Sequence, residues 1–239
     1  MRLIASPGIP ALVDAASASY RAAGLFAWRF ACSKLRADPV FTAILARGLL
    51  GDSKRILDLG CGQGLLASWL LAAAAAYREG SWPSHWPRPP DPLEYTGVEI
   101  NPREAARARA ALGERARIVQ GDISHVDYGP ADAIILLDVL QYIDPASQEA
   151  VLTRARAALA PRGVLLLRVA DPDGGVGFVL GTLLDRLVAL IRRGRWIRLS
   201  CRPQGEWRVL LERLGFATDA MNMSEGTPFA NILVRARPS

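Results

Sequence analysis

Short apolar runs alternate with longer alanine- and leucine-rich stretches along most of the chain, and glycine or proline separates them. The short runs predict β-strands and the longer stretches predict helices, because strands span few residues whereas helices need a sustained periodic face. Strands are expected over residues 55–59, 93–100, 115–122, 130–143 and 164–170, and helices over residues 65–76, 145–160 and 203–214. The run at 130–143 is the most apolar, as expected for the centre of a parallel sheet covered on both faces. This alternation predicts an α/β fold.

The N-terminal region has a different pattern, with no strand-like run. Residues 11–50 predict two or three helices, broken at Gly24 and at Asp38-Pro39. These helices form either an extension that packs on the sheet or a cap over a ligand site, and the pattern leaves both open. We therefore expect a helical extension over residues 1–50 and the main domain over residues 51–239.

The C-terminal region departs from the strand–helix alternation. Residues 176–191 carry apolar residues at helical spacing, and arginines follow at positions 192, 193, 195 and 198. This segment is a core helix with a solvated basic end, a lid, or a patch that docks on acidic lipid or an acidic carrier protein. Residues 216–223 and 229–236 predict two closing strands around a turn.

Composition narrows the class of protein. The 239 residues suit one domain with additions, and 51% hydrophobic and 22% charged residues are typical of soluble globular chains. The net charge of +6 comes from arginines scattered among alanines, so we expect no nucleic-acid partner. Three dispersed cysteines favour neither disulfides nor a zinc site and indicate a reducing cytoplasm. No targeting segment is evident, and the longest apolar stretch, residues 65–77, is too short to cross a bilayer.

One stretch carries the strongest chemical signal. Residues 55–67 read Arg-Ile-Leu-Asp-Leu-Gly-Cys-Gly-Gln-Gly-Leu-Leu-Ala, so a glycine turn joins a strand to a helix N-terminus. Free backbone N–H groups and the positive end of the helix dipole at such a turn suit a nucleotide-like ligand. The glycines follow the pattern G-x-G-x-G, and an acid, Asp58, lies two residues before the first of them. A dinucleotide-binding fingerprint, G-x-G-x-x-G, would instead place its third glycine at Leu65.

The stretch Asp58-Leu-Gly-Cys-Gly-Gln-Gly64 resembles motif I of the class I S-adenosylmethionine (SAM) methyltransferases. Three later features occur in the order that this family uses: an acid at the tip of the second strand (Glu99), Gly121-Asp122 after the third, and a motif IV-like strand that ends near Asp138. The resemblance covers roughly residues 54–170. It implies a Rossmann-like, mainly parallel seven-stranded sheet with helices on both faces and an antiparallel last strand.

The resemblance also implies a cofactor site for SAM, which becomes S-adenosylhomocysteine (SAH) after transfer. The glycine turn would lie against the amino-acid part of SAM, Glu99 would accept from the ribose hydroxyls, and Asp122 would accept from the adenine amine. The residues expected around SAM are Asp58, Gly60, Cys61, Gly62, Gly64, Glu99, Ile100, Asp122, Ile123 and Asp138. No ligand cluster is visible in the sequence, and no metal is expected.

The acceptor site is expected where the fourth strand meets its loop and at the C-terminal turn. Candidates for a base are Asp138, Tyr142 and His125. Candidates for the acceptor pocket are Gln141, Tyr142, Glu225, Thr227 and Phe229, with a simple hairpin turn at 224–228 as the alternative. The fourth strand lacks an Asn/Asp-Pro-Pro-aromatic tetrad and has Asp138-Val-Leu-Gln in its place, which favours a small-molecule acceptor over a base or amide nitrogen.

Residues 79–92 form a proline- and tryptophan-rich insertion that contains His85. In a βαβ unit the helix returns the chain to the N-terminal end of the sheet, whereas ligands bind outside the carboxyl ends of the strands. We therefore expect His85 on the side of the sheet away from the cofactor, in a structural or surface role.

These features predict a cytoplasmic, bacterial SAM-dependent methyltransferase that acts on a small hydrophobic acceptor, aromatic or acyl, with oxygen as the favoured acceptor atom. A carrier-bound acceptor and a peripheral membrane contact stay open, and the sequence does not indicate an oligomeric state. Two alternatives remain: a non-catalytic scaffold that keeps the fold, and another transferase that uses a SAM-like donor.

Overall fold

The computed structural model describes residues 8–91, 93–183, 199–224, 226–227 and 229–239. Within these ranges it contains seven strands: β1 (Arg55–Leu59), β2 (Glu94–Glu99), β3 (Arg117–Gln120), β4 (Ala131–Leu137), β5 (Leu159–Ala170), β6 (Phe216–Asn222) and β7 (Asn231–Pro238). They form one sheet in the order β3-β2-β1-β4-β5-β7-β6. The last strand along the chain, β7, is antiparallel to both of its neighbours. The predicted α/β fold with a mainly parallel seven-stranded sheet is confirmed.

The helices occupy the stretches that separate the strands, together with the N-terminal region. They are α1 (Gly8–Ala18), α2 (Leu25–Ala37), α3 (Pro39–Ala46), α4 (Leu65–Arg78), α5 (Pro102–Leu112), α6 (Pro145–Ala158) and α7 (Gln204–Arg213). Residues 176–183 are also helical. No helix in the described ranges is long and apolar enough to cross a membrane.

The chain forms two compact units, Met1–Ile123 and Ser124–Ser239. In the first unit β1 pairs with β2 and β2 with β3, all parallel. The N-terminal helices belong to this unit and are bonded to α4: the Ser68 hydroxyl donates to the Ala16 carbonyl, and the Trp69 indole N–H donates to the Phe41 carbonyl at 2.8 Å. The domain boundary that we expected at residue 50 stays a prediction, and these two hydrogen bonds join residues on either side of it.

The breaks between the N-terminal helices follow from local chemistry. Gly24 has φ 102°, which interrupts the helical path before α2. Asp38 caps α3, because its carboxylate accepts from the Val40 N–H at 3.1 Å and Pro39 occupies the first helical position. Both predicted breaks are confirmed.

In the second unit β4 and β5 are parallel, and β7 lies between β5 and β6. The run predicted as a strand over 130–143 is only partly extended, which corrects the sequence expectation. The strand ends at Leu137, Asp138 has φ 58°, and residues Leu140–Tyr142 form a short 3-10 helix. The apolar pattern of a sequence does not reveal a residue with positive φ. The predicted strand was therefore too long at its C-terminal end.

The described part of the insertion, residues 79–91, is a packed loop. Trp82 and Trp86 meet edge-to-face with ring centroids 5.4 Å apart, and the Trp82 indole donates to the Pro87 carbonyl at 3.0 Å. The exposed His85 ring lies beside Trp86. The loop leads into the N-terminal end of β2, the opposite end of that strand from Glu99.

Candidate cofactor and acceptor sites

The glycine turn after β1 is bound to the end of β2. The N–H groups of Gly60 and Cys61 both donate to the Val98 carbonyl, at 2.8 and 3.0 Å. At Gly64 the backbone has φ 74°, and a Cβ there would lie 2.6 Å from the Leu112 Cδ1 atom of α5. The positive φ therefore favours glycine at position 64, and a Cβ there would also require the Leu112 side chain to shift.

Glu99, at the tip of β2, bridges two backbone N–H groups. Its Oε2 accepts from Gly62 at 2.9 Å, and its Oε1 accepts from Asn101 at 2.7 Å. A carboxylate oxygen has two lone pairs, so each oxygen can still accept from a ligand. The Cβ position of Gly62 has no atom within 4 Å, so open space adjoins the turn beside this carboxylate.

Gln63 is the site residue that sequence reasoning missed. Its side chain is 2% exposed, and neither Nε2 nor Oε1 has a hydrogen-bond partner among the described residues. Its backbone carbonyl accepts from the Tyr20 hydroxyl at 2.8 Å. A buried amide without a partner is costly, which favours a bound group that completes its hydrogen bonds. The available sequence signal was a polar residue between two glycines of the turn.

Asp58 lies beneath the turn, and its carboxylate accepts from the Tyr95 hydroxyl. Burial, together with the nearby Glu99, raises the pKa of Asp58 to about 7, although the Tyr95 bond acts in the opposite direction. Asp58 is 4% exposed. The structure therefore supports a role for Asp58 in fixing the end of β1 to β2 through its bond with Tyr95.

Cys61 is a packing residue in this turn. A Cβ at Gly97 would lie 2.7 Å from the Cys61 sulfur, so Gly97 of β2 leaves the room that the thiol occupies. Burial, and then the neighbouring Asp58 and Glu99, raise the pKa of the Cys61 thiol. The neutral thiol that results is a poor nucleophile.

The remaining cofactor candidates of the first unit follow β2 and β3. Gly121, directly after β3, donates its N–H to the Glu99 carbonyl at 3.1 Å, so Asp122 follows at the same edge as Glu99. Ile100 is 51% exposed and Ile123 is buried. This edge therefore carries carboxylates, backbone N–H groups and an exposed apolar side chain.

In the second unit Asp138 is held by a buried arginine. The Arg168 Nε lies 2.8 Å from one carboxylate oxygen of Asp138, and its NH2 nitrogen bonds the other. The Asp138 N–H also donates to the Arg168 carbonyl at 3.0 Å. The Arg168 guanidinium thus bonds both carboxylate oxygens of Asp138, and the role of Asp138 as a base stays a prediction.

The loop after β4 is held by the fully buried Gln148 of α6. Its amide nitrogen donates to the carbonyls of Leu140 (3.0 Å) and Ser200 (2.8 Å), and its oxygen accepts from Arg202 at 2.7 Å. The Gln141 carbonyl accepts from the Ser200 N–H at 2.9 Å. Gln141 is buried, Tyr142 is half-buried and His125 is exposed.

A cavity of about 350 Å³ lies at the carboxyl end of β5 and the β6–β7 turn. Thr227 and Phe229 line it, together with Asp171 and Asn222, and their role in an acceptor pocket stays a prediction. Glu225 lies outside the described residues. Among the residues that the structure describes, no cluster of histidine, cysteine and acidic side chains could hold a metal ion.

Comparison with known proteins agrees with this geometry. A family described as "Methyltransferase domain" matches residues 31–220. The chain is 39% identical over 137 residues, 54% of its length, to a carboxy-S-adenosyl-L-methionine synthase of Chromohalobacter salexigens, and 30% identical over 203 residues, 80% of its length, to an acetylserotonin O-methyltransferase of Mus musculus molossinus. These alignments cover 46% of each relative, so the chain spans about half the length of the relatives it matches.

A similar solved structure is a Burkholderia thailandensis 1,6-didemethyltoxoflavin-N1-methyltransferase with bound 1,6-didemethyltoxoflavin and SAH. It has a TM-score of 0.58 and 21% identity, and the match covers 100% of this chain and 93% of that one. This likeness shows the fold. The sheet with its glycine turn and the family match over most of the length define the class, and the chain belongs to the methyltransferase-domain family.

Proposed function

We propose that this chain binds SAM at the glycine turn and transfers its methyl group to a small molecule. The observation that carries the proposal is the arrangement of Gly62, Gln63 and Glu99 in the first unit. Glu99 is fixed by two backbone N–H groups and keeps lone pairs for a ligand, while Gln63 has a buried amide without a protein partner. The residues present fit a ligand rich in hydroxyl and amine groups.

Each candidate has a distinct part in holding the cofactor. Glu99 would accept from the ribose hydroxyls, and the backbone of Gly60–Gly64 and the Gln63 amide would bind the amino-acid part. Asp122 would accept from the adenine amine, and Ile100 and Ile123 would contact the ring. Asp58 and Cys61 would support the turn that holds the cofactor, because Asp58 bonds Tyr95 and Cys61 packs on Gly97.

When bound, SAM supplies a methyl group on a sulfonium, which is already a good leaving group. The work left to the protein is to place a nucleophile in line with that methyl and to exclude water. The candidates for a base are Tyr142, His125 and Asp138, and the Asp138 carboxylate is bonded to Arg168.

The proposal also includes the chemical class of the methyl acceptor. We infer a small hydrophobic acceptor, aromatic or acyl, methylated at oxygen in the cytoplasm. The cavity lined by Thr227 and Phe229 has both polar and aromatic walls, which suits such a molecule. The relative named acetylserotonin O-methyltransferase, which aligns over 80% of this chain, supports an aromatic acceptor.

A second candidate function is a reaction that modifies SAM itself. The relative with the highest identity reported above is named a carboxy-S-adenosyl-L-methionine synthase, at 39% identity over 137 residues. Both candidates share the cofactor site and differ in the product. A non-catalytic binding or scaffold subunit would form no product in a turnover assay.

Calorimetric titration of the full chain with SAM and with SAH tests the shared site. We expect micromolar binding, weakened about 5- to 150-fold in Glu99→Ala, which corresponds to the roughly 1–3 kcal/mol of a lost buried polar partner. Glu94→Ala, an exposed glutamate at the other end of β2, is the matched control and should bind normally. Absence of SAM and SAH binding would contradict the proposal.

Mass spectrometry of turnover mixtures separates the candidate reactions. With SAM and a panel of aromatic and acyl acceptors we expect SAH and an acceptor heavier by one methyl group. A change in the mass of SAM without acceptor methylation would favour the second candidate.

A further inference from the structure

Helical residues 176–183 present an apolar stripe to solvent. Val176, Val179, Leu180 and Leu183 are 85%, 64%, 45% and 47% exposed. Their spacing of three and four residues places them on one face of the helix. Helices on globular proteins usually turn such a face toward the core, so its outward direction indicates an external contact.

The other side of the same segment is packed against the second unit. A Cβ at Gly181 would lie 3.5 Å from the Phe229 ring, which is ordinary contact. Thr182 is 7% exposed, and its hydroxyl donates to the Phe178 carbonyl at 2.9 Å. Gly177 lines the cavity described above. The stripe is therefore the outer face of a docked element beside the cavity mouth.

The stripe is small for a protein–protein interface. Four such side chains expose on the order of a few hundred Å², whereas a stable complex buries roughly 800 Å² on each partner. A lipid surface has no such requirement, because an amphipathic segment binds it through apolar insertion combined with attraction to anionic headgroups.

The charge of the chain favours an anionic surface. The protein carries a net charge of +6, and in the amino-acid sequence residues 184–202 contain six arginines and one acidic residue, Asp185. An apolar stripe followed by basic residues is the combination that binds anionic lipid. We propose that residues 176–183 dock this protein on an anionic lipid surface, with the stripe entering the headgroup region.

This contact would bring the cavity lined by Gly177 and Phe229 next to the bilayer, where an apolar acceptor would concentrate. The proposal is independent of the proposed function, because docking requires neither SAM nor turnover. A protein that methylates soluble acceptors and ignores vesicles would overturn only the docking. A protein that binds vesicles without binding SAM would overturn only the enzyme assignment.

Co-sedimentation of the full chain with lipid vesicles tests the docking. We expect binding to vesicles of equal phosphatidylcholine and phosphatidylglycerol, little binding to phosphatidylcholine alone, and weakening as salt is raised. The double variant Val179→Glu, Leu180→Glu should bind at least tenfold more weakly, because it removes apolar side chains and adds repulsive charge. Val209→Glu on α7, which is 61% exposed in the wild type, is the matched control and should bind as the wild type does.

Three results would overturn the proposal. These are no binding to anionic vesicles, unchanged binding by the double variant, or equal losses in the double variant and Val209→Glu. Light scattering is measured in parallel, and a wild-type dimer that the double variant converts to monomer would assign the stripe to a second copy of the chain. Matching thermal unfolding of the wild type and the two variants shows that both variants remain folded.

Discussion

Arg168 grips Asp138 with two nitrogens, and Asp138 is the one residue other than glycine with positive φ in the described part of the chain. The ion pair and the left-handed backbone occur together at the point where β4 stops. An aspartate tolerates this conformation better than most residues, and the guanidinium fixes its carboxylate. The pair therefore determines how the chain leaves β4 toward Gln141 and Tyr142.

Two substitutions of Asp138 should separate the contribution of the ion pair from that of the left-handed backbone. Asp138→Asn keeps a side chain that accepts positive φ but leaves buried Arg168 without its anion, so we expect a loss of about 2 kcal/mol in the free energy of unfolding. Asp138→Ala should lose about 1 kcal/mol more from backbone strain. Urea unfolding measures both, and Asp219→Asn, from the exposed pair with Arg235, should change stability by less than about 1 kcal/mol. Equal losses for the Asn and Ala variants would contradict the strain argument.

Asp58 should make stability depend on pH. Its folded pKa of about 7 lies above the usual value of 3.8, so the folded state retains a proton that the unfolded chain has released. The stabilisation is full below about pH 4 and is lost as pH rises toward 7, at up to about 1.4 kcal/mol per pH unit. Asp58→Asn removes this titration. Its unfolding free energy relative to wild type should therefore rise between pH 5 and 7, and a constant difference would contradict the raised pKa.

Gly64→Ala should destabilise the first unit for two reasons. The residue has φ 74°, and the new Cβ would approach Leu112 to 2.6 Å. We expect a loss of about 2–4 kcal/mol, from roughly 1 kcal/mol of strain plus overpacking. Gly51→Ala is the control, because Gly51 has φ 53° with no atom near its Cβ position and should lose only the strain. Thermal or urea unfolding gives the loss of stability for each variant. The loss for Gly64→Ala minus that for Gly51→Ala is the cost of the contact with Leu112.

Gln63→Met tests whether the buried amide exists for a ligand. Removing a buried polar group without a partner should leave the unfolding free energy unchanged or raise it by about 1 kcal/mol. SAH affinity should fall about tenfold, because the ligand loses a hydrogen-bonding group. A variant that loses stability and keeps its affinity would show that the amide serves the fold instead.

Much of the fold was accessible from local pattern. The strand at Arg55–Leu59, its glycine turn and the helix from Leu65 were predicted because each rests on neighbouring residues: a short apolar run, a cluster of glycines and a series of helix formers. The breaks at Gly24 and Asp38-Pro39 were predicted for the same reason.

Features that depend on distant partners were not accessible. Arg168 lies 30 residues from Asp138, and Gln148 lies 52 residues from Ser200. Tyr20 reaches the turn from 43 residues away, and no periodicity marks it. The environment of Gln63 likewise depends on how the turn is buried, so its sequence position alone gave no warning of an amide without a partner.

The hydrogen bonds made by the N-terminal helices limit how residues 1–50 could be exchanged between related proteins. Tyr20 donates to the carbonyl of Gln63 inside the turn, Ser68 donates to Ala16, and Trp69 donates to Phe41. If residues 1–50 were exchanged for those of another family member, the new helices would have to place backbone carbonyls where Ala16 and Phe41 have theirs and a donor where Tyr20 has its hydroxyl. The first fifty residues are therefore not a portable module, and a chimera that joins two parents at residue 50 would have to restore all three bonds.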